Sequence, residues 1–200
     1  DSSRLTFAAF AKANGIDEKK ITWVTMAPNL RETMLAQGQV DAISGFISTS
    51  LYNLLNIGIK RDDVVIFAYP DHGVDIYGSA VIVRKDFAEK NPEVVKGFVR
   101  ATIAGTRDTI ADPKAAMAAT RKFDPLFKED LELDRFQLVL DRAMLTENVK
   151  KNGFGTIDPG RAKQSVDVTI AAYQLATPPK VEDIFSTTFL PPQTERMPSK

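Results

Sequence analysis

The sequence predicts an α/β fold in which helices cross over between parallel strands. β-rich and helical segments alternate through residues 1–72, and glycines end the helical segments. After residue 77 a single strand is followed by long helices. The order strand, helix, strand is that of crossover units, whose strands run parallel in one sheet. We therefore expect an α/β unit first and a mainly helical part after it.

The first helix is predicted from its two ends. Ser2 and Ser3 can cap a helix over residues 4–14, and Gly15 suits its C-terminus. An alternating, β-rich run over residues 21–26 predicts the first strand. The same signals predict four more elements in this half: a helix over 30–37, a strand over 41–46, a helix over 48–56 and a strand over 64–69.

The second half begins with one more strand, over residues 78–84. Prolines then mark helix starts, because proline fits the first turn of a helix. We expect four helices: one opened by Asn91-Pro92, one over 114–121, one over 129–145, and one opened by Asp158-Pro159 and running to about residue 175. The proline-rich stretch 177–200 is expected to lie over the surface.

Charge and composition remove several classes of function. Lys and Arg total 26 and Asp and Glu total 26, so the net charge is zero. The chain therefore has no overall electrostatic attraction to nucleic acids or anionic membranes. No apolar run reaches the roughly 18–20 residues that span a bilayer. The absence of cysteine excludes disulfides, thiolate metal sites and a cysteine nucleophile. The chain opens on Asp1-Ser2-Ser3 without Met, so we expect it to be cut from a longer polypeptide.

The single histidine, His72, lies in the polar loop over residues 71–77. One histidine without cysteines supplies too few metal ligands unless carboxylates provide the rest. We expect His72 at the surface or at a hinge, and we expect no metal, no cofactor and no catalytic residue.

Candidate ligand-binding residues lie at helix starts and strand ends, where open α/β sheets form their clefts. Ser2 and Ser3, with Arg4 beside them, stand at a helix N-terminus that could seat an anion or simply be capped. Asn29 precedes the second helix and could donate to a ligand, although capping is the favoured role.

Two further groups follow predicted strands. Gly45 would let a ligand approach the backbone, with Ser44 beside it, and Phe46 could stack on a flat ligand or fill the core. Asp75 and Tyr77 alternate with apolar residues and therefore share a face. That face could point into a cleft, or the pair could form a strand-entry turn with Tyr77 half-buried.

Four stretches carry a resemblance to a known family: residues 4–15, the LAQGQVDA turn at 35–42, the loop at 75–78 and the helix at 91–98. In this order and spacing the chain resembles the periplasmic substrate-binding proteins of the nitrate/sulfonate/taurine and thiamine-precursor ABC importers. The resemblance is nearest to the pyrimidine-precursor-synthase-like branch and covers about residues 1–176.

The resemblance implies a partial periplasmic-binding-protein-like (type II) bilobed α/β fold. Residues 1–77 would form most of lobe 2, and residues 78–200 would form the C-terminal part of lobe 1, with the N-terminal part of the protein missing. By the same resemblance the positions of the ligand cleft are Ser2, Ser3, Asn29, Ser44, Gly45, Phe46, Asp75 and Tyr77.

The resemblance also implies a function without catalysis. The lobes would close on a small organic molecule and deliver it to an ABC permease and its ATPase, in the periplasm or on a lipid anchor outside the cell. A heteroaromatic or zwitterionic solute would use the serines, Asp75 and the two aromatic rings together. The full-length protein is expected to be a monomer, whereas an exposed sheet edge in this stretch could pair with a second copy.

Two alternatives remain open at this point. The same fold serves as the sensing domain of regulators, either behind a DNA-binding helix-turn-helix or within a membrane receptor. The related pyrimidine-precursor synthases are iron-dependent enzymes with a cysteine-rich motif and site histidines. The second alternative is disfavoured, because this chain has no cysteine and one histidine.

Overall fold

The computed structural model describes residues 2–124 and 126–199. The chain divides into two compact units. Unit 1 comprises Asp1–Tyr77 and Gly160–Lys180, and unit 2 comprises Gly78–Pro159 and Val181–Lys200. The assignment of residues 1–77 to lobe 2 and of 78–200 to lobe 1 stays a prediction.

Helices form the regular structure of the described residues. In chain order they are α1 (Ser2–Leu5), α2 (Phe7–Ala13), α3 (Arg31–Ala36), α4 (Ile47–Asn56), α5 (Lys85–Lys90), α6 (Pro92–Ala111), α7 (Pro113–Arg121), α8 (Glu129–Val139), α9 (Glu147–Asn152), α10 (Pro159–Tyr173), α11 (Val181–Ile184) and α12 (Gln193–Arg196). Short 3₁₀ turns lie at Glu18–Lys20, Pro28–Leu30, Arg61–Asp63 and Tyr69–His72, and a π-helical turn at Leu140–Met144 follows α8. None of the described helices is long and apolar enough to cross a bilayer.

Helix starts and ends follow the local signals in the sequence. Pro92 opens α6, and the Asp112 carboxylate caps α7 by accepting from the N–H of Ala115 at 2.9 Å. Gly38 lies just beyond α3 with φ of 68°, a left-handed conformation that glycine adopts without strain. The predicted helix over residues 129–145 is α8 plus the π-helical turn, because the ladder shifts register at Leu140.

The predicted strands are not formed in the part of the chain that the structure describes. Residues 21–26, 42–46, 64–68 and 78–84 carry no strand or helix. A strand forms only when a neighbouring strand supplies hydrogen bonds to its backbone. β-branched residues favour a side-chain surface that packs well in a sheet, but they do not make the backbone pair by themselves. Val65 remains 78% exposed and Ile82 remains 91% exposed. The predicted parallel sheet is therefore not confirmed, and these segments are irregular connections between the described helices.

Each unit buries its own apolar side chains. In unit 1 the largest fully buried side chain is Tyr52 of α4, and the Phe10 ring stacks on that of Tyr69 at 4.7 Å. In unit 2 the buried residues include Val95, Ile103, Met117 and Leu140. The tail of unit 2 is held down, because the Arg196 guanidinium donates to the Phe154 carbonyl oxygen at 2.7 Å.

Candidate functional site

All eight residues predicted to bind a ligand lie in unit 1. The structure places most of them in local groups of contacts, each built around residues that the sequence did not single out. Whether these residues bind a ligand stays a prediction, and the groups are described one at a time.

The helix-start serines act through their backbone carbonyls. The Ser2 carbonyl oxygen accepts from the N–H and the hydroxyl of Thr6, both at 3.0 Å. The Ser3 carbonyl oxygen accepts from the Tyr69 hydroxyl at 2.8 Å. Arg4, the cation of the expected anion seat, lies over the Trp23 ring with its guanidinium carbon 3.5 Å from the ring centre.

The ring of Tyr69 belongs to a cluster of aromatic side chains. The Tyr69 ring stacks on Phe10, and the His72 ring meets Phe10 edge-on, with the two ring centres 5.6 Å apart. Burial raises the pKa of Tyr69, and the positive charge of Arg4 offsets part of that effect. His72 is therefore a packed member of an aromatic cluster, and its carbonyl oxygen accepts from the Asn14 side chain at 3.0 Å.

Gly45 lies against a buried ion pair. The Arg31 guanidinium donates to Glu32 Oε1 through Nη2 at 2.8 Å and Nε at 3.0 Å, and Nη2 also reaches the Ser50 hydroxyl at 3.1 Å. A Cβ on Gly45 would lie 2.4 Å from Ser50 Oγ and 3.2 Å from the Arg31 guanidinium carbon. The glycine is thus required for close approach, here to a side-chain cluster of the chain itself.

Glu32 is the buried charge of this cluster, with only 5% of its surface exposed. Burial alone would raise the pKa of its carboxyl group. Hydrogen bonds from Arg31 and Ser50, together with the charge of Arg31, overcome that effect and lower the pKa overall. Glu32 is therefore ionised and paired at neutral pH.

Ser44 and Phe46 flank Gly45 and lie in the irregular segment before α4, where the backbone of Phe46 is extended. Phe46 is 58% exposed, so it is available to a ligand rather than packed in the core. Its carbonyl oxygen accepts from the N–H of Ser50 at 2.8 Å and so begins α4.

Asn29 lines a depression of about 290 Å³ on the same helix pair. It belongs to the 3₁₀ turn Pro28–Leu30 that precedes α3. The other lining residues come from α3 and from the C-terminal end of α4: Glu32, Thr33, Asn53, Asn56 and Ile57. The N-cap position of α3 is Leu30, and no side chain caps this helix, so the favoured capping role of Asn29 is wrong.

Asp75 and Tyr77 meet at one side chain, that of Arg161 near the start of α10. Arg161 Nη2 lies 2.9 Å from Asp75 Oδ1, and the guanidinium carbon lies 4.6 Å from the centre of the Tyr77 ring. The Ser165 hydroxyl accepts from the N–H of Tyr77 at 2.9 Å. This group offers a carboxylate, a phenol and a guanidinium in one place.

Several residues of these groups were not indicated by the sequence, and the charged ones among them are Arg31, Glu32 and Arg161. The adjacent Arg31-Glu32 pair carries a weak signal, since it occurs at a helix start next to Asn29. Arg161 carries none, because its partners lie far away in the sequence. Within residues 2–124 and 126–199 no group of three or more His, Cys, Asp or Glu side chains is arranged to hold a metal ion.

Comparison with known proteins places these groups in a family context. The family described as NMT1/THI5 like matches residues 1–116. A riboflavin-binding protein, RibY, of Chloroflexus aurantiacus is 24% identical over 185 residues, which are 91% of this chain and 46% of that protein. The chain thus spans about half the length of the curated relative that it matches. No solved structure matches it.

The family match contains every predicted ligand-binding residue, since all of them precede residue 116. It also covers the Arg31–Glu32 pair and the aromatic cluster, whereas Arg161 lies beyond it. More than half of the sequence is matched, and the expected family is confirmed. The chain belongs to the NMT1/THI5-like family, whose fold is that of the periplasmic binding proteins.

Proposed function

We propose that this chain is part of the solute-binding component of an ABC-type import system. It captures a small organic molecule between two lobes and delivers it to a membrane permease and its ATPase. The observation that carries the proposal is the family match over residues 1–116. The similarity to a protein named as riboflavin-binding supports capture of a solute rather than its conversion.

The side chains of unit 1 suit reversible capture. Asp75 accepts hydrogen bonds, Tyr77 offers an aromatic face and a hydroxyl, and Arg161 provides a planar cation beside both. Exposed Phe46 adds a second ring. These groups recognise a ring with polar substituents, and the binding of a heteroaromatic solute is the form of the proposal that we favour.

The remaining parts of the proposal follow from the family. The protein acts in the periplasm or on a lipid anchor outside the cell, it is a monomer at full length, and it is not an enzyme. Residues 1–77 belong to lobe 2 and residues 78–200 to lobe 1. The sequence supports binding over iron-dependent synthesis, because one histidine and no cysteine offer few of the ligands that iron uses.

The test is titration of the full-length protein with a panel of solutes. The panel contains riboflavin, taurine, an alkyl sulfonate, an aromatic acid, a pyrimidine and thiamine precursors. This stretch holds a single tryptophan, Trp23, in contact with Arg4, so fluorescence reports events in unit 1 and calorimetry gives the affinity. We expect saturable binding of one solute, recovered unchanged after release. Chemical conversion of the bound solute would overturn the proposal.

Two variants connect the binding to unit 1. Tyr77→Ala removes a ring and Asp75→Asn removes a charge, and both should weaken binding at least tenfold. Glu93→Gln is the matched control, because that carboxylate is 80% exposed and pairs with Lys96 one helical turn away. Unchanged affinity in both site variants would place the ligand elsewhere.

A further inference from the structure

The depression beside Asn29 differs in chemistry from the other groups of unit 1. It holds about 290 Å³, which is near the lower limit of small-molecule sites. Its lining consists of carboxamides, a hydroxyl, a carboxylate and one apolar side chain. The residues lie on two packed helices, α3 and α4, on the turn before α3 and, for Ile57, at the C-cap of α4, so they are fixed by or next to helical backbone rather than carried on a long loop.

The carboxamides determine which hydrogen bonds the depression can make. Asn29, Asn53 and Asn56 each provide a donor group and an acceptor oxygen, and the Thr33 hydroxyl provides both in one atom. Such groups match a ligand whose own groups also donate and accept. Hydroxyl groups do both, whereas a sulfonate or carboxylate only accepts.

Charge also selects against an anion in this place. None of the residues lining the depression is Lys, Arg or His, and one of them is Glu32. The carboxylate of Glu32 is paired with Arg31 at 2.8 Å, so the ion pair as a whole is neutral. A neutral hydroxyl can donate to that carboxylate in a charge-assisted hydrogen bond, while the neutral pair gives an anion no net attraction.

We propose that the depression lined by Asn29, Asn53 and Asn56 binds a neutral polyhydroxylated group, either a free polyol or sugar or the polyol part of a larger solute. Hydroxyls of the ligand donate to the carboxylate and amide oxygens and accept from the amide N–H groups. Ile57 supplies the apolar surface against which the carbon chain of a polyol packs. The inference rests on the proposed function in that it names the substrate class of a site that includes Asn29.

The probes are xylitol, myo-inositol and cyclohexanol, added to the full-length protein. Cyclohexanol has the size of inositol with a single hydroxyl, so it separates hydroxyl recognition from the filling of an apolar cavity. Ligand-observed NMR and calorimetry should show binding of at least one polyol and none of cyclohexanol. Binding of cyclohexanol with equal affinity, or of neither polyol, overturns the proposal.

Variants assign any binding to the depression. Asn53→Asp keeps the shape of the side chain, removes a donor and adds a charge near Glu32, and it should weaken polyol binding at least tenfold. Asn53→Leu combined with Asn56→Leu should abolish it. Gln39→Leu is the matched control, because Gln39 is an exposed amide outside the depression and its loss should change nothing.

The outcomes separate this inference from the proposed function. If the protein binds another solute of the panel while polyols fail, the polyol site is wrong and the solute-binding function stands. If polyols bind through Asn53 while no transported solute is found, the polyol site stands alone. Circular dichroism of each variant shows that it is folded, and equal polyol affinity in folded Asn53→Asp and wild-type protein contradicts the proposal.

Discussion

Arg161 Nη2 lies 2.9 Å from Oδ1 of Asp75, which joins the first turn of α10 to a segment far from it in the sequence. The same nitrogen donates to the Ile76 carbonyl oxygen at 3.1 Å. Ser165, one helical turn further on, accepts from the N–H of Tyr77. Residues 75–77 have no strand partner in the described structure, and side chains of α10 bond two of their backbone groups instead, the Ile76 carbonyl oxygen and the Tyr77 N–H.

Replacing Arg161 by Met should destabilise the protein by about 2 kcal/mol, the sum of modest terms for a half-exposed ion pair, a hydrogen bond and a ring contact. Arg161→Lys keeps the charge but not the planar guanidinium, so its stability should lie between those of the wild type and Arg161→Met. The free energy of unfolding in urea measures the difference. Arg84→Met is the control, because Arg84 also pairs with an aspartate but is 80% exposed. Equal stability of Arg161→Met and Arg84→Met would show that the contact contributes nothing.

Local signals in the sequence predicted the helices well because capping and backbone conformation depend on neighbouring residues. Asp112 and Pro113 fixed the start of α7, and Gly38 marked the end of α3. Short helices such as α9 were missed, although Thr146 caps α9 by accepting from Val149 at 3.3 Å. Six residues are too few for a helical hydrophobic period to stand out.

Contacts between distant residues could not be predicted. Nothing in the local sequence of Asp75 indicates Arg161, and nothing near Gly45 indicates that Ser50 and Arg31 would fill the space of its missing Cβ. The predicted strands were not confirmed for a related reason. A run such as residues 64–68 favours extended backbone, but pairing needs a second segment in register, and a single sequence pattern does not provide that.

Gly45→Ala should destabilise the protein by about 1–3 kcal/mol, as overpacking of a filled site does. The new Cβ would lie 2.4 Å from Ser50 Oγ, and rotating that hydroxyl away would break its hydrogen bond with Arg31. Gly97→Ala is the matched control, because Gly97 lies within α6 with nothing within 4 Å of its added Cβ. There alanine should stabilise the helix by about 0.5–1 kcal/mol.

Thermal unfolding of both glycine variants tests whether alanine destabilises the protein at position 45 and stabilises it at position 97. The Gly45→Ala, Ser50→Ala double variant should recover part of the loss, because it removes the closest atom and leaves Arg31 at 3.2 Å. A Gly45→Ala protein as stable as Gly97→Ala would contradict the close packing at Gly45.

The ion pair of Glu32 and Arg31 should make the free energy of unfolding decrease at acidic pH. The pKa of Glu32 is lowered below its ordinary value of 4.5, so its stabilising contribution is fully present above that pH and is lost as the pH falls through the folded-state pKa. Glu32→Gln should destabilise the protein at pH 7 by about 2–3 kcal/mol, since Arg31 is left largely buried.

Urea unfolding at a series of pH values between about 7 and 3 checks the sign. The difference between wild-type protein and Glu32→Gln should shrink as the solution becomes more acidic. Glu93→Gln, at an exposed carboxylate, should follow the wild type at every pH. A difference between wild-type protein and Glu32→Gln that stays constant with pH would show that charge is not what Glu32 contributes.

Tyr69 should make the stability of the protein fall as the pH rises into the alkaline range, the opposite of the effect of Glu32. Burial raises its pKa above the ordinary 10.0, so its contribution is fully present below pH 10 and is lost as the pH rises through the folded-state pKa. Tyr69→Phe removes the 2.8 Å hydrogen bond to the Ser3 carbonyl oxygen and should lose about 1 kcal/mol at neutral pH. The difference in stability between Tyr69→Phe and the wild type should narrow above pH 10. In a pH titration, the tyrosinate absorbance step that the variant lacks should lie on the alkaline side of pH 10.

Tyr173→Phe, at a ring that is 53% exposed, should leave stability unchanged. If the two tyrosine variants are equally stable, the Tyr69 hydroxyl does not hold α1 in place.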